Sequence, residues 1–206
     1  MPPRTIALVT SSTRSPRLNP FITDYIHDVL TPVLPDDVSL QILDVAAQDL
    51  PLYDEPAIPA LLPATDPTAH YRHEHTRAWS SRVRQHDAFI FVTPQYNWSV
   101  PAGLKNALDY LFHEWTGKPA GIVSYGGHGG GKAAGHLRDI LLGLRMRPVS
   151  TAPALATTRT MLEDCLEQGR VGEAQIVAWR EAGVEDAVRR MFEEILASLP
   201  ECEVSN

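Results

Sequence analysis

Ala88-Phe89-Ile90-Phe91-Val92-Thr93-Pro94-Gln95-Tyr96-Asn97-Trp98 reads as a buried strand that runs straight into a polar and aromatic loop. Its apolar residues follow one another without polar alternation, which suits a strand covered on both faces in a parallel sheet. Pro94 stops the strand, and Pro101 falls in the first turn of a helix predicted over 100–115. The same order of strand, loop and helix recurs on both sides. Upstream, Ile6-Ala7-Leu8-Val9 ends in Thr10, Ser11 and Ser12, and Phe21, Ile22, Tyr25, Ile26, Val29 and Leu30 follow at helical spacing until Pro32. A second strand is predicted over 38–45, a long proline-rich loop over 51–67, and a polar helix over 70–86 that turns Trp79 and Val83 inward. Downstream, the pattern predicts a fourth strand over 120–124, a helix over 131–146 and a fifth strand over 148–155. A mostly helical stretch over 159–199 follows, broken between Gly169 and Gly172.

Strands alternating with helices, joined by right-handed crossovers, make a parallel sheet covered on both sides. The expected fold is therefore α/β, a three-layer sandwich around a five-stranded parallel sheet in the order 2-1-3-4-5. Its ligand crevice lies beyond the carboxyl ends of the strands. A chain of 206 residues with 44% hydrophobic residues fits one domain, 1–206, with a helical extension from about residue 157.

The formal charge of -7 gives no broad positive field for nucleic acid or anionic lipid, so neither is an expected partner. Cys165 and Cys202 show no metal-like spacing and no disulfide framework, which suits a reducing compartment. No stretch is apolar for long enough to cross a bilayer, and the first residues lack a signal-peptide core, so the expected location is the cytoplasm. His70, His73 and His75 form a histidine-rich run, but no closed ligand set accompanies them and no metal site is assigned.

Three predicted loops leave the same end of the sheet, and each is chemically unusual. The first, over 10–19, packs Ser and Thr hydroxyls, Arg14, Arg17 and Asn19 before a helix N-terminus. Free N–H groups and the helix dipole there favour an anion, although the hydroxyls alone could simply cap the helix. The second, over 94–109, carries Gln95, Tyr96, Asn97 and Trp98, which could support a planar heterocycle or pack on a neighbouring loop or subunit. Lys105, Asn106 and Asp109 of this stretch read as packing and capping residues. The third, Ser124-Tyr125-Gly126-Gly127-His128-Gly129-Gly130-Gly131-Lys132, lets backbone come close to a ligand and is equally compatible with a phosphate loop or a flexible turn. No G-x-G-x-x-G follows the first strand, which disfavours a dinucleotide domain, and there is no G-x-x-x-x-G-K-[ST] loop.

The sequence from Ile6 to about Leu155 resembles the NADPH-dependent FMN reductase family, the flavodoxin-like group of azoreductases, chromate reductases and NAD(P)H quinone reductases. The likeness is most specific over 94–109, similar to the family's P-E-Y-N-x-S-x-P-x-x-L-K-N-A-x-D, with support from Ser12-Thr13-Arg14, residues 50–56, Trp79 and residues 124–131. The resemblance implies an enzyme that passes electrons from NADPH or NADH through bound FMN to a small acceptor by a ping-pong cycle, with no side chain acting as acid or base. It implies that Ser12, Arg14, Arg17 and Asn19 hold the FMN phosphate. Pro94, Gln95, Tyr96 and Asn97 would line the isoalloxazine, and Ser124, Tyr125, Gly126 and Gly127 its other side. It further implies a homodimer or homotetramer. Four positions depart from the family pattern: Ser11 replaces a glycine, Gln95 a glutamate and Lys132 an arginine, and Trp98 stands where a small residue is common. Serine avoids positive φ, so a reshaped phosphate turn is expected.

Overall fold

The computed structural model describes residues 3–199. Strands β1 (Arg4–Thr10), β2 (Val38–Asp44), β3 (Ala88–Pro94) and β4 (Pro119–Gly126) pair in parallel, and with β5 (Arg147–Pro148) the path through the sheet is β2-β1-β3-β4-β5. The register places Thr10 beside Val92, and Ser124 and Tyr125 beside Thr93 and Pro94. The ends of β1, β3 and β4 therefore form one edge, as the predicted order requires.

The expected fifth strand is two short pieces. β5 (Arg147–Pro148) pairs with the start of β4, and β6 (Ala154–Ala156) pairs with its end. Pro148 and Pro153 have no N–H to donate, so a continuous ladder cannot form between them. The intervening backbone turns instead to Glu194, which accepts hydrogen bonds from Thr151 N at 3.0 Å and Ser150 Oγ at 2.9 Å.

Helices α1 (Asn19–Leu30), α2 (Glu74–Arg84), α3 (Ala102–Asp109) and α4 (Gly131–Gly143) connect the strands. Two are shorter than their apolar spacing predicts. After Asp109 the chain continues in turns, with Tyr110, Leu111 and Trp115 still buried, so helical spacing here reflects a shared core rather than helical backbone. α4 stops ahead of Arg145, whose φ of 60° is incompatible with a right-handed helix. The last stretch comprises α5 (Met161–Gln168), α6 (Glu173–Glu181) and α7 (Val184–Ser198). Gly169 at φ 71° ends α5 as expected, and Gly183 at φ 73° makes a second break that the pattern did not reveal.

Side chains alternate across the sheet. Ile6, Leu8, Ile90, Val92 and Val123 pack under α1 and α7 with Ile22, Ile26, Phe192 and Ile195. Ala7, Val9, Phe89, Phe91 and Ile122 pack on the opposite face with Trp79, Leu104, Leu108 and Leu137. This is the predicted three-layer, flavodoxin-like sandwich. Gly121 sets the approach of one layer, because a Cβ there would lie 2.7 Å from Met191 Sδ and 2.9 Å from Ile195 Cδ1. The apolar face of the C-terminal helices, with Trp179, Val188 and Met191 buried, packs on this domain. Among the described residues no helix is long and apolar enough to cross a membrane. Cys165 is buried with a free thiol, and Cys202 lies outside the described residues.

Candidate functional site

The loop after β1 is held by its own polar side chains. Asn19 is fully buried; its Oδ1 accepts from Ser12 N at 2.7 Å, and its Nδ2 donates to Val92 O at 3.0 Å. Asn19 thus ties β1 to β3 and fixes the turn from beneath. Ser12 is buried as well, with Oγ 2.8 Å from Tyr96 OH and accepting from Arg14 N at 3.3 Å. No hydroxyl caps α1, whose N-cap Leu18 makes no side-chain cap bond, so the simple capping reading of this loop does not hold. Among the described residues the N–H groups of Thr13, Ser15 and Arg17 have no acceptor, and the exposed Arg14 guanidinium has no carboxylate partner. Ser11 needs no positive φ: it is buried in the turn, with Oγ donating to Val9 O at 3.4 Å. The glycine-to-serine change is therefore accommodated without strain there.

Arg17 behaves differently from Arg14. It forms a two-pronged pair with Asp44 at 2.7 and 2.5 Å and also donates to Ser12 O at 2.5 Å. Its hydrogen bond to Asp44 pushes its already high pKa further up. Arg17 remains a fixed positive charge beside the loop, and Asp44 is a partner that inspection of the loop alone could not supply.

The loop after β3 is clamped onto α4. Gln95 Oε1 accepts from Lys132 N at 3.0 Å and Ala133 N at 3.4 Å, so the amide serves the first N–H groups of α4. Ser99 Oγ lies 3.0 Å from His136 Nδ1, and Lys132 Nζ sits 5.1 Å above the Trp98 ring. Tyr96 and Ser99 exchange backbone hydrogen bonds at 2.9 and 3.0 Å around Asn97 at φ 46° and Trp98 at φ 69°. A two-residue turn of this kind asks for positive φ at both positions, which asparagine tolerates and tryptophan does not. Trp98 is 68% exposed, so no core contact compensates for that backbone.

In the third loop, Gly129 and Gly130 take φ of 78° and 77°, and a Cβ on Gly130 would lie 2.7 Å from Tyr125 O. This close turn leaves Gly127 in open space. Ser124 is buried and donates to Gly129 O at 2.7 Å, so its side chain shapes the loop from within. Burial raises the Tyr125 pKa, which keeps its phenol protonated.

A cavity of about 190 Å³ joins these pieces, lined by Arg14, Arg17, Pro94, Gln95, Tyr96, Tyr125 and Gly126. Of the other residues picked out from the sequence, Ser12, Asn19 and Ser124 support the walls, Asn97 forms the turn and Gly127 stands clear. A larger cavity of about 300 Å³ lies across Thr13, but its one charged wall residue is Asp49, which opposes an anion. The smaller cavity has a fourth wall absent from the sequence reading: Thr157, Thr158 and Arg159 from the loop after β6, and Leu162 from the first turn of α5. Its signal was present, since Thr157-Thr158-Arg159-Thr160 repeats the hydroxyl-and-arginine character of Ser11-Ser12-Thr13-Arg14 at another strand end.

Away from this edge, Asn106 accepts from Tyr53 N at 2.8 Å and donates to Pro51 O at 2.7 Å, holding the proline-rich loop on α3. Lys105 pairs with Asp109 at 2.7 Å, an i,i+4 ion pair on the exposed side of α3. His73 and His75 stack 5.1 Å apart beside Asp54, and neither this cluster nor any other among the described residues is arranged to hold a metal ion.

A parallel sheet in this order, with a cavity walled by the loops after β1, β3 and β4, defines a flavodoxin-like α/β protein. The chain belongs to the NADPH-dependent FMN reductase family, whose pattern matches residues 4–160. It is 38% identical over 192 residues to an NAD(P)H-dependent FMN reductase of Nectria sp, covering 92% of this chain and 94% of that one. It is 42% identical over 169 residues to an NAD(P)H-dependent FMN reductase of Schizosaccharomyces pombe, covering 82% and 79% respectively. In fold it is similar to the flavoenzyme NAD(P)H:(acceptor) oxidoreductase of Paracoccus denitrificans, with a TM-score of 0.65 at 22% identity over 93% of this chain and 98% of that one.

Proposed function

We propose that this chain binds FMN at the carboxyl edge of its sheet and passes electrons from NADPH or NADH to a small acceptor such as a quinone, an azo compound or a free flavin. The observation that carries the reading is the donor set of the first loop: an unpartnered Arg14 on the cavity wall, Arg17 held charged beside it, and three free N–H groups in the same loop. That chemistry fits a phosphate dianion at a helix N-terminus. The Pro94-Gln95-Tyr96 wall and the backbone at Gly126 would hold the flat ring, with open space beside Gly127. Relatives named as FMN reductases and quinone reductases support the same assignment.

When bound, FMN supplies the redox chemistry, taking a hydride from the nicotinamide and giving electrons to the acceptor. The protein's part is to bind and orient. Arg14, with the free N–H groups, anchors the phosphate; the clamped Gln95 loop fixes one wall; the glycine loop offers backbone donors to the electron-rich edge of the ring. Burial keeps the Tyr125 phenol protonated, a hydrogen-bond donor at the cavity wall rather than a base. Nicotinamide and acceptor occupy the same exposed side in turn, a ping-pong order. The chain works in the cytoplasm as a homodimer or homotetramer, and the exposed apolar side chains Leu52, Leu61 and Trp98 are surface that a subunit contact would cover.

Anaerobic addition of NADPH or NADH to the FMN-loaded protein is expected to bleach the flavin absorbance, and a quinone added afterwards restores it. Steady-state plots at several quinone concentrations should be parallel. A flavin that stays oxidised with both nicotinamides would contradict the reading.

A further inference from the structure

The fourth wall of the cavity carries a positive charge beyond those of Arg14 and Arg17. Arg159 is exposed, lines the cavity with Arg14 and Arg17, and has no carboxylate or carbonyl partner among the described residues. Its loop is fixed at the base from two directions. Thr157 N donates to Gly126 O at 3.0 Å, and the buried Trp179 donates its indole N–H to Ala156 O at 2.7 Å. The arginine therefore extends from an anchored position rather than from a free terminus, which lowers the ordering cost of any contact it makes.

The nearby helix end offers no competing anion site, because α5 begins with Glu163 and Asp164, and Thr160 Oγ1 donates to Asp164 Oδ2 at 3.0 Å. In a chain of net charge -7, an unpaired arginine on a cavity wall creates a local positive potential that draws in an anionic substrate. One phosphate is already served by the first loop, which forms another part of the cavity wall. The second anion that the proposed reaction brings in is the dinucleotide co-substrate.

We propose that Arg159 receives a phosphate of the incoming nicotinamide dinucleotide, with the hydroxyls of Thr157 and Thr158 beside it. The inference rests on the FMN-reductase reading above and adds to it the residue that selects the co-substrate. The phosphate is either the pyrophosphate, common to NADH and NADPH, or the 2′-phosphate that NADPH alone carries.

The test is calorimetric binding of NADP⁺ and NAD⁺ to the FMN-loaded parent, Arg159→Ala and Arg159→Lys proteins, with FMN affinity measured alongside. Loss of a charge-assisted contact should weaken binding by about 10- to 150-fold in Arg159→Ala, and Arg159→Lys should recover part of it. Weakening of NADP⁺ alone assigns the 2′-phosphate; equal weakening of both assigns the pyrophosphate. Unchanged binding of both, no binding of either to the parent, or a matching loss of FMN affinity in Arg159→Ala would overturn the proposal. A parent that binds the dinucleotide through Arg159 yet is never reduced by NADPH or NADH would leave this contact standing and remove the proposed activity instead.

Discussion

Glu114 and Lys118, just before β4, are withdrawn from solvent and engaged by neighbours, whereas Arg14 and Arg159, beyond the other end of the strands, are exposed and lack protein partners among the described residues. Glu114 accepts from Ser80 Oγ at 2.6 Å and Tyr71 OH at 3.2 Å, and Lys118 Nζ donates to Val83 O at 3.1 Å. Burial pushes the Lys118 pKa down to about 8, a sign that its charge is held at a cost. Polar groups at the first region stabilise the chain by satisfying one another. Those at the second contribute nothing until another molecule arrives, so the contrast separates what the fold needs from what the function needs.

The largest expected effect lies in the first region. Glu114→Ala strands two buried donors, and urea unfolding should show a loss of about 2–5 kcal/mol. Glu114→Gln keeps one acceptor and should lose about half as much. If Glu114→Ala unfolds like the parent, the buried network is not the stabilising element described here.

A smaller effect of opposite sign is expected in the second region. Trp98 at φ 69° is an exposed residue in a conformation that costs about 1–2 kcal/mol; a glycine removes that cost, and the greater freedom it gives the unfolded chain offsets part of the gain. Trp98→Gly should therefore raise unfolding stability by about 1 kcal/mol. A lower urea midpoint would mean that the indole's contact with Lys132 outweighs the strain, and the contrast between the two regions would weaken accordingly.

The sheet was legible because buried strands such as 88–92 and 120–124 are continuous apolar runs, and the turn residues between them are unambiguous. Helix ends were less so. Tyr110, Leu111 and Trp115 keep helical spacing while reaching the core from turns, and the prolines at 148 and 153 split a strand that apolar character alone joins. At the candidate site, the sequence located the loops that wall the cavity but could not say which way a polar side chain faces. Asn19 and Ser124 look like ligand contacts in a loop and prove to be buried supports, and Arg17 meets Asp44, a residue 27 positions away. Arg159 escaped because it sits at the start of a stretch whose apolar spacing reports only packing.

The central claim is that the loop after β1 is a phosphate site for a flavin mononucleotide. Calorimetric titration of FMN and of riboflavin, which lacks the phosphate, into the flavin-free parent and Arg14→Ala proteins tests it most directly. FMN is expected to bind the parent far more tightly than riboflavin, and Arg14→Ala should weaken FMN by about 10- to 150-fold while leaving riboflavin unchanged. Equal affinity for FMN and riboflavin in the parent, or an Arg14→Ala protein that holds FMN as tightly as the parent, would contradict it.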